Sequence, residues 1–330
     1  MAVIATVKLS KSYGRQRGIE DVTLTVEKGE IFGFLGPNGA GKTTTIRLLL
    51  GMLLRTGGTA HVFGLNVDRD TLAIRARTGY LPSDASLYPH LRGWDLVDFV
   101  LATRGLRDRS RARSLAGRLG VDLGLRVKQC SRGMRQKIAI VATLAHDPEL
   151  LVLDEPSTGL DPLVQHVLAD LLREETARGK TVFLSSHNLA EVESLCNRVA
   201  IIREGVVVKV DEVSSLRGMH FKTVTARFGT AAGSGGGEPG SGGRPNFLTI
   251  PGVRLVENGS GPAAGVRDHA GGAAQSGWIT LKVTGDLRPL LERLASSSLQ
   301  DLRVEDPTLE EVFMQFYSGD SGAGVGGEQR

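Results

Sequence analysis

One run of eight residues constrains this chain more than any other: Gly36, Pro37, Asn38, Gly39, Ala40, Gly41, Lys42 and Thr43. It fits the pattern Gly-x-x-x-x-Gly-Lys-Ser/Thr, with an apolar, strand-like run (residues 31–35) before it and a helix-like run beginning at Thr44 (residues 44–50) after it. Glycines let a backbone curl until successive N–H groups point inward at an anion. A helix beginning near Gly41 adds its positive end at the same place. Lys42 is placed to reach outer phosphates, and the Thr43 hydroxyl to take a coordination position on Mg²⁺. The stretch reads as a site for a nucleoside triphosphate.

The rest of the composition sets bounds. At 330 residues the chain is long enough for a full core and a second, smaller domain. A net charge of +4 is mild and does not call for nucleic acid. Cys130 and Cys196 stand far apart, with no metal or redox spacing, which fits a reduced, cytosolic setting. No apolar run approaches the about 20 residues needed to span a bilayer, and the start lacks a signal-peptide pattern. If the protein acts on a membrane, the expectation is a peripheral one, with another chain doing the spanning.

Residues 2–9, 19–26 and 31–35 read as strands, with a turn at 27–30. Tyr13 stands among polar residues, where an aromatic either stacks on a nucleobase or packs half-buried. Residues 57–64 suggest a turn and a strand, 78–83 a further segment ending at Ser83, and 94–101 an amphipathic helix. Residues 104–118 carry six arginines against one acid, Asp108; a solvated helix face explains them better than a nucleic-acid patch, because no aromatics are interleaved. Residues 150–153 and 181–186 are apolar runs of the kind buried in a parallel sheet, and 199–202 with 206–210 form a hairpin. Strands alternating with helices point to an α/β class with a doubly wound core.

From about residue 221 the texture changes. Residues 229–243 hold eight glycines in fifteen and read as a flexible insertion. Residues 247–257, 278–283, 287–295 and 302–305 suggest a small α+β domain over 221–317, interrupted by a soft stretch at 258–277. Residues 306–317 look helical, and 318–330 read as a polar, disordered tail.

The second half of the nucleotide site follows the run 150–153. Asp154, at the carboxyl end of a buried strand, is placed to hold Mg²⁺ through water. Glu155, immediately after, is placed to polarise an attacking water. His187 follows the other buried strand, within reach of the same phosphate.

These residues, in this order, resemble the ATP-binding cassette of ABC transporters over residues 1–220. Tyr13 is similar to the aromatic that stacks on adenine, and residues 36–43 to the Walker A loop. Cys130, Ser131, Arg132, Gly133 and Met134 resemble a degenerate form of the signature Leu-Ser-Gly-Gly-Gln, keeping the two residues that meet phosphate. Asp154 and Glu155 match the Walker B aspartate and catalytic glutamate, residues 157–161 ending in Asp161 the D-loop, and His187 the switch histidine. The resemblance implies an N-terminal antiparallel β subdomain and a helical subdomain at about 84–146. It also implies ATP and Mg²⁺ as cofactors, and a head-to-tail dimer in which Ser131 and Gly133 of one copy meet the γ-phosphate held by Lys42 of the other. Ser83 departs from the family's glutamine, and a serine is too short to reach Mg²⁺ directly: either a water bridges, or Asp84 helps, or this subtype couples more loosely. Beyond residue 220 the chain is similar to the C-terminal region of cassettes paired with small exporter permeases, including the daunorubicin-resistance type.

The leading expectation is therefore the ATPase subunit of an exporter, peripheral on the cytoplasmic face of the membrane and driving a separate multi-span permease, with drug or antibiotic efflux in view. The alternative is a soluble ABC ATPase acting on nucleic acid or ribosomes. Such relatives usually carry two cassettes in one chain or a long insertion, and this chain has neither, so no nucleic-acid partner is expected.

Overall fold

The computed structural model describes residues 2–14, 16–218, 222–228, 250–258, 278–297 and 299–305. The glycine-rich stretch 229–243, nearly all of 258–277, the helix expected over 306–317 and the tail 318–330 lie outside them. The chain forms two compact units, Met1–Val213 and Ser214–Arg330, a division a few residues before the 220 expected from sequence.

In the first unit the elements run β1 (Ala2–Tyr13), β2 (Gln16–Glu27), β3 (Ile31–Leu35), α1 (Lys42–Leu49), β4 (Gly57–Val62), β5 (Leu65–Asn66) and α2 (Thr71–Ala76). They continue with β6 (Thr78–Leu81), α3 (Gly93–Ala102), α4 (Ser110–Leu119), α5 (Arg132–Ala145) and β7 (Leu150–Asp154). The last are α6 (Pro162–Ala177), β8 (Thr181–Ser186), α7 (Leu189–Leu195), β9 (Arg198–Arg203), β10 (Val206–Glu212) and a short α8 (Val213–Gly218) that runs past the unit's end.

Two sheets result. The smaller is antiparallel, in the order β2-β1-β4-β5. The larger has six strands in the order β10-β9-β3-β8-β7-β6, parallel except for the edge strand β10. Every residue of β3, β7 and β8 is buried, as continuous apolar runs in a parallel sheet require. Phe32 and Phe183 stack with centroids 5.9 Å apart, and Phe34 tilts against Phe183 at 5.5 Å. Each such ring removed from water contributes about 2 kcal/mol or more. Because β3 lies between β8 and β9, its carboxyl end opens beside those of β7 and β8, the edge where open α/β sheets bind ligands.

Helices α3, α4 and α5 form the helical part, with α5 packed against both others. The arginine run forms the solvated face expected of it: Arg107, Arg109, Arg113 and Arg118 are exposed, and only Arg104 and Arg111 are half-buried. Arg109 is paired with Asp98 of α3, Arg111 donates to Glu175 of α6 at 2.7 Å and to the Leu144 carbonyl at 2.9 Å, and Arg118 is paired with Glu174 through both nitrogens. Arg104 lies half-buried, and burial lowers its pKa. On that exposed face Arg109 and Arg118 find surface carboxylates.

In the second unit, β11 (Lys222–Phe228), β12 (Val253–Asn258), β13 (Trp278–Val283), α9 (Arg288–Ala295) and β14 (Leu299–Glu305) build an antiparallel sheet in the order β12-β13-β11-β14. Alternate residues Val224, Ala226 and Phe228 of β11 and Ile279, Leu281 and Val283 of β13 share a core with Leu290 and Leu294 of α9.

Candidate nucleotide site

The loop between β3 and α1 is shaped by its own residues. Gly41 caps α1 at φ 107°, a left-handed conformation costly to a residue with a Cβ, and no side chain caps the helix. The positive end of α1 is thereby left facing the loop. Lys42 is buried, at 6% exposure, and its Nζ donates to the carbonyls of Gly36 at 2.7 Å and Pro37 at 3.1 Å. It also lies 3.0 Å from Glu155 Oε1. The hairpin turn between β9 and β10 braces the loop: Gly205 N–H donates to the buried Ala40 carbonyl at 3.0 Å, while the Gly205 carbonyl accepts from Glu20 N–H of β2 at 2.8 Å.

The ends of β7 and β8 supply the acids and the histidine. Asp154 is fully buried; its Oδ2 accepts from the Thr43 hydroxyl at 2.7 Å and its Oδ1 from the Ser185 hydroxyl. Glu155 sits at φ 54°, its N–H donating to the Ser185 carbonyl at 3.0 Å. That conformation costs an ordinary residue about 1 kcal/mol and turns the side chain out of the strand direction, toward the loop. Glu155 Oε2 is hydrogen-bonded to His187 Nδ1, whose ring is half exposed. One carboxylate thus touches both the loop lysine and the histidine after β8.

These groups open on one cleft of about 340 Å³. Asn38, Gly39, Gly41, Lys42, Thr43 and Thr44 line its loop side, and Ser83, Asp154 and Glu155 the opposite side. Tyr13, 45% exposed at the end of β1, lines it too, with Lys11 Nζ 5.2 Å from its ring. Thr43 and Asp154 offer the hard oxygen donors Mg²⁺ takes, and two protein positions suit an ion that keeps waters and substrate phosphates for the rest. Among the described residues no three potential metal-ligating His, Cys, Asp or Glu side chains cluster, so nothing suggests a closed protein cage.

Ser131, Gly133 and Asp161 do not line this cleft. Ser131 is the N-cap of α5, accepting from Met134 N–H at 3.2 Å, and α5 begins at Arg132. Asp161 caps α6, accepting from Val164 N–H at 3.0 Å. The two caps are neighbours in space: Gly133 backs onto the Gly159 carbonyl, where a Cβ would stand 2.9 Å away, and Gln136 Nε2 donates to the Pro156 carbonyl at 3.1 Å.

Three participants escaped the sequence reading. Gly18 lines the cleft, Ser185 bonds to Asp154, and Glu191 of α7 accepts from Ser186 at 2.5 Å. Burial pushes the Glu191 carboxyl above its ordinary pKa, with the Glu155 charge adding to this, against hydrogen bonds from Ser186 and Ser157 that pull it down. Two serines ending an otherwise apolar strand were the available signal for Ser185 and Ser186.

Residues 19–158 match the family model described as ABC transporter. The Nod factor export ATP-binding protein I of Paraburkholderia xenovorans is 37% identical over 210 residues, covering 62% of this chain and 69% of the relative. The bacitracin transport ATP-binding protein BcrA of Bacillus licheniformis is 36% identical over 213 residues, covering 63% of this chain and 69% of the relative. Among the curated relatives the shared segment spans from 61% to 70% of their own lengths. A solved structure of an ATP-binding subunit of an ABC transporter superposes with a TM-score of 0.60 at 31% identity, over 65% of this chain and 92% of that one. The phosphate loop, the paired acids on β7 and these relatives agree: the chain belongs to the ATP-binding proteins of ABC transporters, and its first unit is an ATPase cassette of that family.

Proposed function

We propose that this chain hydrolyses ATP to drive export through a separate, multi-span membrane permease. The observation that carries this reading is the convergence of Lys42, Thr43, Asp154 and Glu155 on one cleft, with His187 hydrogen-bonded to Glu155 from outside its lining. Lys42, the loop N–H groups and the α1 terminus bind the β- and γ-phosphates, and Tyr13 stacks on the base. Thr43 and Asp154 would hold Mg²⁺, which neutralises charge on the phosphate oxygens. Glu155 accepts a proton from the attacking water, whose oxygen bonds to the γ-phosphorus as the bond to ADP breaks. His187 holds Glu155 in place and faces the γ-phosphate. Ser83 is too short to contact the ion directly and acts through water.

The exposed caps Ser131 and Asp161, with Gly133, serve a second copy of the chain: each copy presents them to the γ-phosphate bound by its partner, closing two ATP molecules between head-to-tail cassettes. Hydrolysis removes the charge that holds the halves together. Among the described residues no helix is long and apolar enough to cross a membrane, which suits a peripheral place beneath a permease. The names of the Nod factor and bacitracin relatives support export and leave the cargo to the permease.

The test is purification of tagged protein from detergent-solubilised native membranes, with mass spectrometry of what accompanies it. A polytopic partner in stoichiometric amount is the expected result. Recovery with ribosomes or nucleic acid and no membrane protein would overturn the export reading.

A further inference from the structure

The hydrolytic groups rest on a support the mechanism above does not use. Ser186, the last residue of β8, immediately precedes His187, and its carbonyl accepts from Gly36 N–H of the phosphate loop at 3.2 Å. Its hydroxyl donates to Glu191 Oε2 at 2.5 Å and accepts from Asn188 N–H at 2.9 Å. Asn188 in turn caps α7, its Oδ1 accepting from Ala190 N–H at 3.0 Å and Glu191 N–H at 3.4 Å. One side chain on α7 therefore anchors the strand end that carries His187.

We propose that Glu191 is a positioning residue for ATP hydrolysis: by holding the Ser186 hydroxyl it fixes the strand end that sets His187 against Glu155. The inference rests on the reading of Glu155 as the base. Three features favour this role over a merely structural one. The side chain is largely buried, so its hydrogen bonds are not exchanged freely with water. The charged groups acting on it are Glu155 and His187, the two whose relative placement sets proton transfer, with the Cys196 thiol also near. Its serine partner Ser186 adjoins His187, and small displacements of a catalytic pair are costly: a shift of about 1 Å can lower a rate about a hundredfold.

The experiment uses the purified full-length chain and steady-state phosphate release, with ATP affinity measured separately by calorimetry. Glu191→Ala is expected to lower kcat about ten- to a hundredfold while ATP affinity stays within about twofold, since no contact of Glu191 reaches the phosphate loop lysine. Ser186→Ala gives a smaller loss, and the Ser186→Ala/Glu191→Ala double variant is no slower than Glu191→Ala, because both remove one linkage. If Glu191→Ala does not fold, Glu191→Gln, which keeps the volume and one acceptor, carries the same expectation at smaller size. Wild-type kcat in the folded variant, losses that simply add in the double variant, or a parallel loss of ATP affinity each overturn the proposal. Glu155→Gln is run alongside: if that variant hydrolyses at the wild-type rate, it is the assignment of the base that fails, and the two failures are told apart.

Discussion

Replacing Glu155 by Gln separates binding from chemistry, and the structure sets the direction of each. Lys42 Nζ is held by the Gly36 and Pro37 carbonyls and by Glu155 Oε1 at 3.0 Å, with the lysine 6% and the glutamate 12% exposed. Two unit charges that close attract with about 5 kcal/mol at an effective dielectric of about 20, much of it offset by desolvation. A γ-phosphate arriving beside Lys42 must displace this carboxylate and tolerate its negative charge. Gln keeps the shape and removes the charge, so Lys42 is released and the repulsion is gone. If about a quarter of the gross attraction appears as net gain, ATP affinity rises about tenfold. Turnover moves the other way: loss of a positioned base costs about 10²–10⁴-fold, or about 3–5 kcal/mol of barrier. Calorimetry with Mg²⁺-ATP reads the first and phosphate release the second. Turnover within about threefold of wild type would refute the role of Glu155 as base, a loss far smaller than general-base removal gives. Unchanged affinity would refute the competition between Glu155 and phosphate for Lys42.

Other outcomes follow from packing and charge. In Gly36→Ala the new Cβ stands 2.4 Å from the Ile202 carbonyl oxygen, between strands that cannot yield separately. Overpacking of about 1–3 kcal/mol is expected, seen as a melting temperature lower by about 3–10 °C, and an unchanged melt would contradict the close approach. Glu175→Gln leaves Arg111, Arg178 and Lys180 with Asp147 as their remaining shared carboxylate, so urea denaturation should show a loss of about 1–3 kcal/mol. His146 is buried, and burial, with the Arg104 charge adding to it, lowers its pKa from 6.5 to about 4. The unfolded chain therefore binds this proton first on acidification, and stability falls as pH drops from about 6.5 toward about 4, by at most about 1.4 kcal/mol per pH unit. Urea midpoints at pH 7.5 and 5.0 check this, and His146→Leu should show a shallower pH slope than wild type.

What could be read from sequence was what is local. The phosphate loop is contiguous and announces itself, and the apolar runs of β3, β7 and β8 have no other reading than buried strands. The edges were harder. Strand β1 continues through Lys11, Ser12 and Tyr13, polar residues kept extended by their pairing with Ile19, Arg17 and Gln16 of β2. Strand β11 alternates Val224, Ala226 and Phe228 inward, yet adjoins a glycine-rich stretch that drew the eye. The arginine run reads correctly as a solvated face, but composition gives charge and not partners: Arg109, Arg118 and Arg111 find their carboxylates 11, 56 and 64 residues away. Glu191 looks like any acid on an exposed helix until α7 is laid against the end of β8. A tertiary hydrogen bond leaves no periodicity behind.

The brace on the phosphate loop also bears on how the chain is made. Ala40 leaves the ribosome early, but Gly205, whose N–H the Ala40 carbonyl accepts, follows 165 residues later. Strand β3 waits as well, since its two neighbours are β8 and β9. At bacterial or eukaryotic synthesis rates that interval is roughly 10–30 seconds, during which Ile31, Phe32, Phe34 and Leu35 have no sheet to join. The nascent chain therefore carries its stickiest strand unpartnered for nearly half of its synthesis, and a product that stops short of the β9–β10 hairpin cannot complete the loop. Nucleotide binding is a property the polypeptide acquires late, and a chaperone shielding β3 would serve this protein before ATP does.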